Sequence, residues 1–347
     1  MTLQNKNKMI RVPLSDSSVA KREKNSSLHL GTKKPRLYKN TFYGWRYKHW
    51  TLAETTTYFI KGVARELKIA PLFFHKWYDK TFNRKWLKKN GDETYYDFNG
   101  AKLPAMLEPK IFRYLQSCIF DDTFLFSCCY NDKYEKEFVR FMVQYVINEG
   151  PYGYCDSSFN VIVEKGDVVI DAGAWIGDYS AYAASKGAIV YAFEPDTKLY
   201  KLLCKTKELN KVDGEDRIFA IPKGLGDHKG KMSFSMDEDA GLGNTLITNV
   251  GTGKTELIDV TTLDSFVQEY NLTKVDFIKA DIEGGERDML KGASNVLKTF
   301  APKLAICTYH LPDDPEVLEK IILEANPNYT IVHLPKKLFA TVINKTK

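Results

Sequence analysis

No stretch of this 347-residue chain approaches the roughly 18 consecutive apolar residues that a membrane helix needs. The densest run, Phe124-Leu125-Phe126-Ser127-Cys128-Cys129-Tyr130, is far too short, so no membrane span is expected. The first 30 residues carry no apolar block behind their basic side chains, which argues against a secretion signal and for a cytoplasmic setting. Cysteine is scarce. Cys118, Cys128, Cys129, Cys155, Cys204 and Cys307 include no C-x-x-C pair, and no Cys or His pairs fall at zinc-finger spacing. These thiols are expected to stay reduced, mostly as small core residues. The sequons beginning at Asn25, Asn271, Asn328 and Asn344 carry no meaning without secretion. Apolar side chains, by contrast, are not lacking: 44% hydrophobic and 13% aromatic residues exclude a wholly disordered or fibrous chain.

The net charge of +6 is unevenly spread. Residues 1–50 hold 12 Lys and Arg against only Asp16 and Glu23, and the remaining residues are net acidic. The basic character therefore belongs to an arm, residues 1–40, rich in Ser, Asn and Lys and without apolar periodicity. Its composition reads as a solvated, mobile segment, and a nucleic-acid partner is not expected.

Residues 41–150 are aromatic and read as mainly helical. One helix is expected over Leu52 to Leu67. Another carries Phe138, Val139, Met142, Tyr145 and Val146 at helical spacing before the break at Glu149-Gly150-Pro151. From residue 151 to 347 the pattern becomes short apolar runs alternating with helices, the signature of a parallel sheet with crossovers. Strands are expected at Asp167–Ile170, Ala188–Phe193, Ile218–Ile221, Val275–Ala280 and Lys303–Cys307. Met289, Ala293, Val296 and Leu297 form one helical stripe; Val317, Leu318, Ile321, Ile322 and Ala325 form another. The last two strands, Tyr329–His333 and Leu338–Ile343, are joined through Pro335-Lys336-Lys337. That link is too short for a crossover, so they must run antiparallel.

Chemistry concentrates at the strand ends. Asp171-Ala172-Gly173-Ala174-Trp175-Ile176-Gly177 follows the first of these strands and leads into a helix, so backbone can approach a ligand beyond the carboxyl edge of the sheet. A dinucleotide fingerprint requires G-x-G-x-x-G around a pyrophosphate, whereas here Gly173 and Gly177 flank Trp175 and Asp171 leads the turn. A carboxylate repels a pyrophosphate and attracts an ammonium, at roughly 1 kcal/mol over a few ångströms. That favours S-adenosylmethionine, which has an ammonium and a sulfonium and no phosphate. Glu194, in Phe193-Glu194-Pro195 at the second strand tip, can accept hydrogen bonds from ribose hydroxyls of any adenosine nucleoside. At the fourth strand tip stands Asp281-Ile282-Glu283-Gly284-Gly285-Glu286, where Asp281 and Glu283 could serve as base, hydrogen-bond partner or metal ligand. Glu286 could instead support the first helical turn. His310, after the fifth strand, stands at the same edge and could take a proton from an attacking hydroxyl. Two motifs are set aside. Gly251-Thr252-Gly253-Lys254-Thr255 lacks the first phosphate-loop glycine, since Thr248 stands there, and Asp237-Glu238-Asp239 reads as a solvated turn.

In order and spacing, Val168–Gly177, Tyr191–Pro195 and Asp276–Gly284, with Lys291-Gly292-Ala293 and Tyr309-His310, resemble the FkbM family of S-adenosylmethionine-dependent methyltransferases. The resemblance covers roughly residues 149–345. Trp175 departs from it, at a position where the family often has Asn. The resemblance implies a class I methyltransferase (Rossmann-like) α/β fold with a seven-stranded sheet, and methylation of a hydroxyl on a sugar, glycan or natural product. The expected cofactor contacts are Asp171 at the methionine end, Gly173, Ala174, Trp175 and Gly177 in the loop, and Glu194 with Pro195 at the ribose. Gly226 and Asp227 are expected on the adenine side. His310 with Asp281 or Glu283 would deprotonate or orient the acceptor, and no metal is assigned, although Asp281 and Glu283 could hold one. The rival readings are a non-catalytic scaffold that keeps the fold and a nicotinamide-dependent oxidoreductase. The acceptor, the oligomeric state and the role of residues 1–150 are left open by the sequence.

Overall fold

The structure is a computed structural model that describes residues 80, 82–109, 111, 112, 115, 129, 130, 152–235, 255–334 and 336–343. The basic arm, the helices expected at 52–67 and 138–146, and the motif at 237–239 lie outside the described residues, as does nearly all of the one at 251–255. Residues 41–150 were expected to be mainly helical, yet their described part contains an antiparallel meander: β1 (Leu87–Asn90), β2 (Glu93–Phe98) and β3 (Ala101–Pro104). Tight turns at Gly91 and at Asn99-Gly100, all at positive φ, close it. Helical periodicity elsewhere in that segment hid this short alternating stretch. Three short strands follow in a minor sheet, β4 (Cys129–Tyr130) with β5 (Gly153–Cys155) and β6 (Asn160–Val161).

The main sheet begins with β7 (Val168–Ala172), β8 (Ile189–Phe193) and β9 (Ile218–Ile221), linked by helices α1 (Asp178–Ser185) and α2 (Thr197–Leu209). All five residues of β7 are buried, four of them apolar, as befits a strand covered on both faces of a parallel sheet. Asp196 caps α2, its carboxylate accepting from the N–H groups of Lys198 and Leu199. A side sheet that the sequence reading did not contain comes next. It is built from β10 (Gly224–Leu225), β11 (Gly230–Ser235) and β12 (Thr255–Thr261).

The chain then returns through α3 (Leu263–Glu269) to β13 (Phe277–Ala280). The stripe from Met289 to Leu297 is divided between two short helices, α4 (Glu286–Lys291) and α5 (Ser294–Thr299). The break falls at Gly292, where a side chain would collide with the Gly226 carbonyl: a Cβ there would sit 2.0 Å from that oxygen. Then follow β14 (Lys303–Cys307), α6 (Asp314–Ala325), β15 (Tyr329–Leu334) and β16 (Lys337–Val342).

Across the sheet the order is β15-β16-β14-β13-β7-β8-β9, with five parallel strands and an antiparallel C-terminal pair. This is the seven-stranded class I methyltransferase arrangement that was expected. One face of β7 and β13, carrying Ile170, Ala172, Ile278 and Ala280, packs into the large apolar core with Leu290, Leu297, Leu318 and Ile322. Alternation sends Asp171 and Lys279 to the opposite face, where Ser180 of α1 meets Asp171. The strand order reverses between β7 and β13, so their carboxyl ends open the crevice in which such sheets bind ligands.

Candidate active site

The loop after β7 is shaped by close approach. Gly173 has φ +72°, and a Cβ on it would lie 1.9 Å from the Asp281 carbonyl oxygen, so no other residue fits between β7 and β13. Gly177, at φ +84°, sits against Leu203 and Thr206 of α2. The Gly173 and Ala174 N–H groups donate to the Phe193 carbonyl, at 3.1 and 2.9 Å, which ties the loop to the tip of β8. Trp175, half-buried, is also left-handed at φ 52°. Asn tolerates that conformation better than an aromatic residue, so the backbone does not explain the departure from Asn at this position. The strain is of order 1 kcal/mol.

Asp171 is fully buried, and its charge is met inside the protein. In the register of β7 against β13 it stands opposite Lys279, whose ammonium lies 3.0 Å from Asp171 Oδ1. Asp171 Oδ2 accepts a hydrogen bond from Ser180 at 2.6 Å. The same ammonium donates to the carbonyls of Gly173, at 2.6 Å, and Ala172, at 3.3 Å. Burial works to lower the Lys279 pKa, but the charges of Asp171, Asp281 and Asp178 outweigh it and leave the pKa raised. Asp171 is thus engaged by Lys279 and Ser180 within the protein. Lys279 was missed in the sequence, although a lysine inside the apolar run Phe277-Ile278-Lys279-Ala280 is itself a signal, because a buried charge needs a buried partner.

Glu194 is buried at the tip of β8, with Pro195 beside it half-buried. Its carboxylate accepts from the Trp175 N–H and the Asp196 N–H, both at 2.9 Å. Burial pushes its pKa up to about 8, against those two hydrogen bonds. Gly226 and Asp227 make their contacts elsewhere. The Gly226 N–H donates to the Thr261 carbonyl at 3.0 Å, and Asp227 is an exposed acid 2.5 Å from His228 Nδ1.

The second cluster joins the tips of β13 and β14. Asp281 accepts from Tyr152 Oη at 2.5 Å and from Tyr309 Oη at 3.1 Å. Burial would raise its pKa, but Lys337, Lys279 and His310, with the Tyr152 hydroxyl, bring it down to about 2. Lys337, expected in the turn, instead opens β16 and is buried. The β14–β16 register sets it opposite Cys307, with Nζ 2.8 Å from the sulfur and 3.8 Å from the centre of the Tyr152 ring. Only pairing with β14 turns this residue inward.

His310 is ringed by acids. Its Nε2 lies 3.5 Å from Asp281 Oδ1 and 3.3 Å from Glu283 Oε2, and its Nδ1 lies 3.0 Å from Glu286 Oε1. Burial lowers its pKa, but hydrogen bonding to Glu283 and Glu286 and the charges of Glu286 and Asp281 overcome this and raise it to about 10. An imidazole with that pKa holds its proton at neutral pH, which does not suit the expected role of general base. Glu283 is partly exposed, at positive φ (52°), and its pKa is raised by burial despite His310. Glu286 is fully buried and accepts from the Ile282 and Gly284 N–H groups at 2.8 and 3.0 Å, so it secures the turn into α4. Asp281, Glu283 and His310 are therefore brought together as the strand tips implied, while Lys279, Lys337, Tyr152 and Glu286 complete the constellation.

A model of the methyltransferase FkbM domain matches residues 171–332, which include the three strand-tip motifs. The hexuronic acid methyltransferase AglP of Haloferax volcanii is 28% identical over 171 residues, covering 49% of this chain and 67% of that protein. Among solved structures, the methyltransferase FkbM from Methylobacillus flagellatus KT is similar at TM-score 0.43 and 24% identity. That match covers 68% of this chain and 55% of the other, little more than half its length. The Methanococcus jannaschii fibrillarin pre-rRNA processing protein is similar at TM-score 0.32 and 18% identity, over 53% of this chain and 69% of that one.

Proposed function

We propose, for a chain whose residues 171–332 match the FkbM methyltransferase domain, that it binds S-adenosylmethionine and methylates a hydroxyl of a sugar or glycan acceptor. The observation that carries this reading is the crevice between β7 and β13, with the glycine loop and Glu194 on one side and Asp281, Glu283 and His310 on the other. The relative named as a hexuronic acid methyltransferase supports a carbohydrate acceptor.

The residues present fit the cofactor. Glu194 uses two of a carboxylate's roughly four acceptor positions on backbone N–H groups, which leaves others for ribose hydroxyls. The side-chain-free Gly173 keeps the loop backbone close to the crevice. Asp171 and Lys279 hold the carbonyls of Ala172 and Gly173 in place, and Ala174, Trp175 and Gly177 complete the loop. Gly226 and Asp227 remain the candidates for the adenine side. S-adenosylmethionine, when bound, supplies a methyl group already activated by a sulfonium. The protein's share is orientation, which lowers a barrier by as much as about 7–11 kcal/mol when reacting atoms are held in line. Glu283, the partly exposed acid of the second cluster, accepts the acceptor's hydroxyl proton in this reading, while Asp281, fixed by Tyr152 and Tyr309, orients the oxygen. No helix among the described residues is long and apolar enough to cross a membrane.

Thermal unfolding with S-adenosylmethionine, its demethylated product, NAD and NADP tests the cofactor. A ligand at 100 times its dissociation constant adds about 2.7 kcal/mol to the native state, which at about 2–4 °C per kcal/mol raises the midpoint by several degrees. A shift with S-adenosylmethionine or its product alone is expected. A shift with NAD or NADP alone would replace this reading by the oxidoreductase, and no shift would favour the scaffold.

A further inference from the structure

We propose that Asp178, the first residue of α1, is the side chain that meets the ammonium of the cofactor's methionine end, a place the sequence had given to Asp171. The inference deepens the proposed use of S-adenosylmethionine and rests on it. Asp178 follows Gly177 directly, so it stands where the loop after β7 turns into the helix. That turn lies at the carboxyl edge of the sheet, where such folds bind ligands.

Asp171 has nothing to offer a ligand. It is fully buried, with Oδ1 3.0 Å from the Lys279 ammonium and Oδ2 accepting from Ser180 at 2.6 Å. Lys279 is equally committed. An ammonium has three N–H donors, and here they are taken by Asp171 and by the carbonyls of Gly173, at 2.6 Å, and Ala172, at 3.3 Å. None is left for a second acid.

Asp178 differs on each count. Its carboxylate is engaged by backbone N–H groups at the start of its own helix, with the Tyr179 N–H 2.9 Å from Oδ1. Among the described residues, no ammonium or guanidinium pairs with it. Roughly half of a carboxylate's four acceptor positions therefore stay open. The side chain is half-buried and keeps accessible surface. Burial nevertheless pushes its pKa up to about 6, against the charge of Lys279. A carboxyl group closely surrounded by protein yet still reached by solvent is one that lines a concave surface.

The group that answers such an acid is a cation with several donors. The amino-acid ammonium of S-adenosylmethionine is one, and its sulfonium adds positive charge a few bonds away, whereas a pyrophosphate would be repelled. An acid in the first turn also favours the helix dipole. That role alone predicts a less stable helix on removal of the charge, with no dependence on the ligand's amine.

The test follows from this difference. The full chain is titrated calorimetrically with S-adenosylhomocysteine, the demethylated product, and with the analogue in which hydrogen replaces its amino group. In the wild type, loss of the amine should weaken binding at least about tenfold, the low end for a hydrogen bond to a charged group. Asp178→Asn should weaken S-adenosylhomocysteine by a similar factor and bind the two ligands nearly alike, because both changes remove one contact. Asp171→Asn should keep the wild-type preference for the amine. Ligand-free thermal unfolding checks each variant. Asn can accept the same Tyr179 N–H, Asp178→Ser is the second choice, and the Asp178 variants decide alone if Asp171→Asn does not fold. Full wild-type preference retained in Asp178→Asn would overturn the inference, as would a wild type that does not distinguish the ligands. A wild type that binds neither ligand would remove the cofactor reading and this inference with it.

Discussion

The two halves of the crevice handle charge in opposite ways. On the β7–β8 side, three acids are each answered within the protein: Asp171 by Lys279 and Ser180, Glu194 by two backbone N–H groups, Asp196 by the start of α2. On the β13–β14 side, three acids converge on a single imidazole. The first three form a set of pairs, complete as it stands, that holds a loop in shape. The second three are a surplus of negative charge held close together, which is the condition for catching a proton. Preorganisation and reactivity are thus assigned to adjacent strands of one sheet.

The largest way to break this contrast is Lys279→Met. It leaves Asp171 buried without its counter-charge and frees the carbonyls of Ala172 and Gly173. Removing one member of a buried pair costs about 3–5 kcal/mol, so denaturant unfolding should show a loss of that order. Adding Asp171→Asn to the same chain should recover a large part of it. A double variant no more stable than Lys279→Met would show that the pair is not the source of the loss.

Gly173→Ala is expected to come next. The added methyl meets the Asp281 carbonyl, and the positive φ disfavours alanine, so about 3 kcal/mol of stability should be lost. Because the loop lines the crevice, binding of the demethylated cofactor product should fall with it. Calorimetric titration that found it unaffected would show that the loop does not shape the cofactor site.

The last effect concerns pH. The Glu194 pKa stands near 8, raised chiefly by burial, whereas an unfolded glutamate titrates near 4.3. Between those values the native state holds a proton that the unfolded state has released. The stabilisation from that proton is full below about pH 4 and is lost as pH rises through about 8. Glu194→Gln cannot titrate, so unfolding free energies measured from pH 5 to 8.5 should fall with pH more steeply in the wild type than in the variant. Parallel slopes would mean that Glu194 is ionised throughout and already held as the carboxylate.

Much of the sheet could be read from residue order. Ile218–Ile221 and Lys303–Cys307 form strands at the expected bounds, and the short link after His333 required the antiparallel pair that β15 and β16 form. These are local properties: an apolar run is buried wherever it lies, and a three-residue link cannot cross a sheet. The meander at 87–104 and the side sheet β10–β12–β11 were not legible, because their strands are in large part half-exposed and are defined by their partners. The helical stripe from Met289 to Leu297 was seen, but its division at Gly292 depends on a carbonyl 66 positions earlier in the chain.

The same boundary runs through the site. Sequence alone determined that Asp171, Glu194, Asp281, Glu283 and His310 stand at the carboxyl ends of strands, because a motif's place on its own strand is a matter of spacing. Which charge faces which was decided only by the tertiary structure. Register set Lys279 opposite Asp171 and Lys337 opposite Cys307, and the meeting of two strand tips set His310 among three acids. The physical reason is that a side chain's protonation depends on charges within a few ångströms, and those neighbours lie on strands that the chain reaches only by folding.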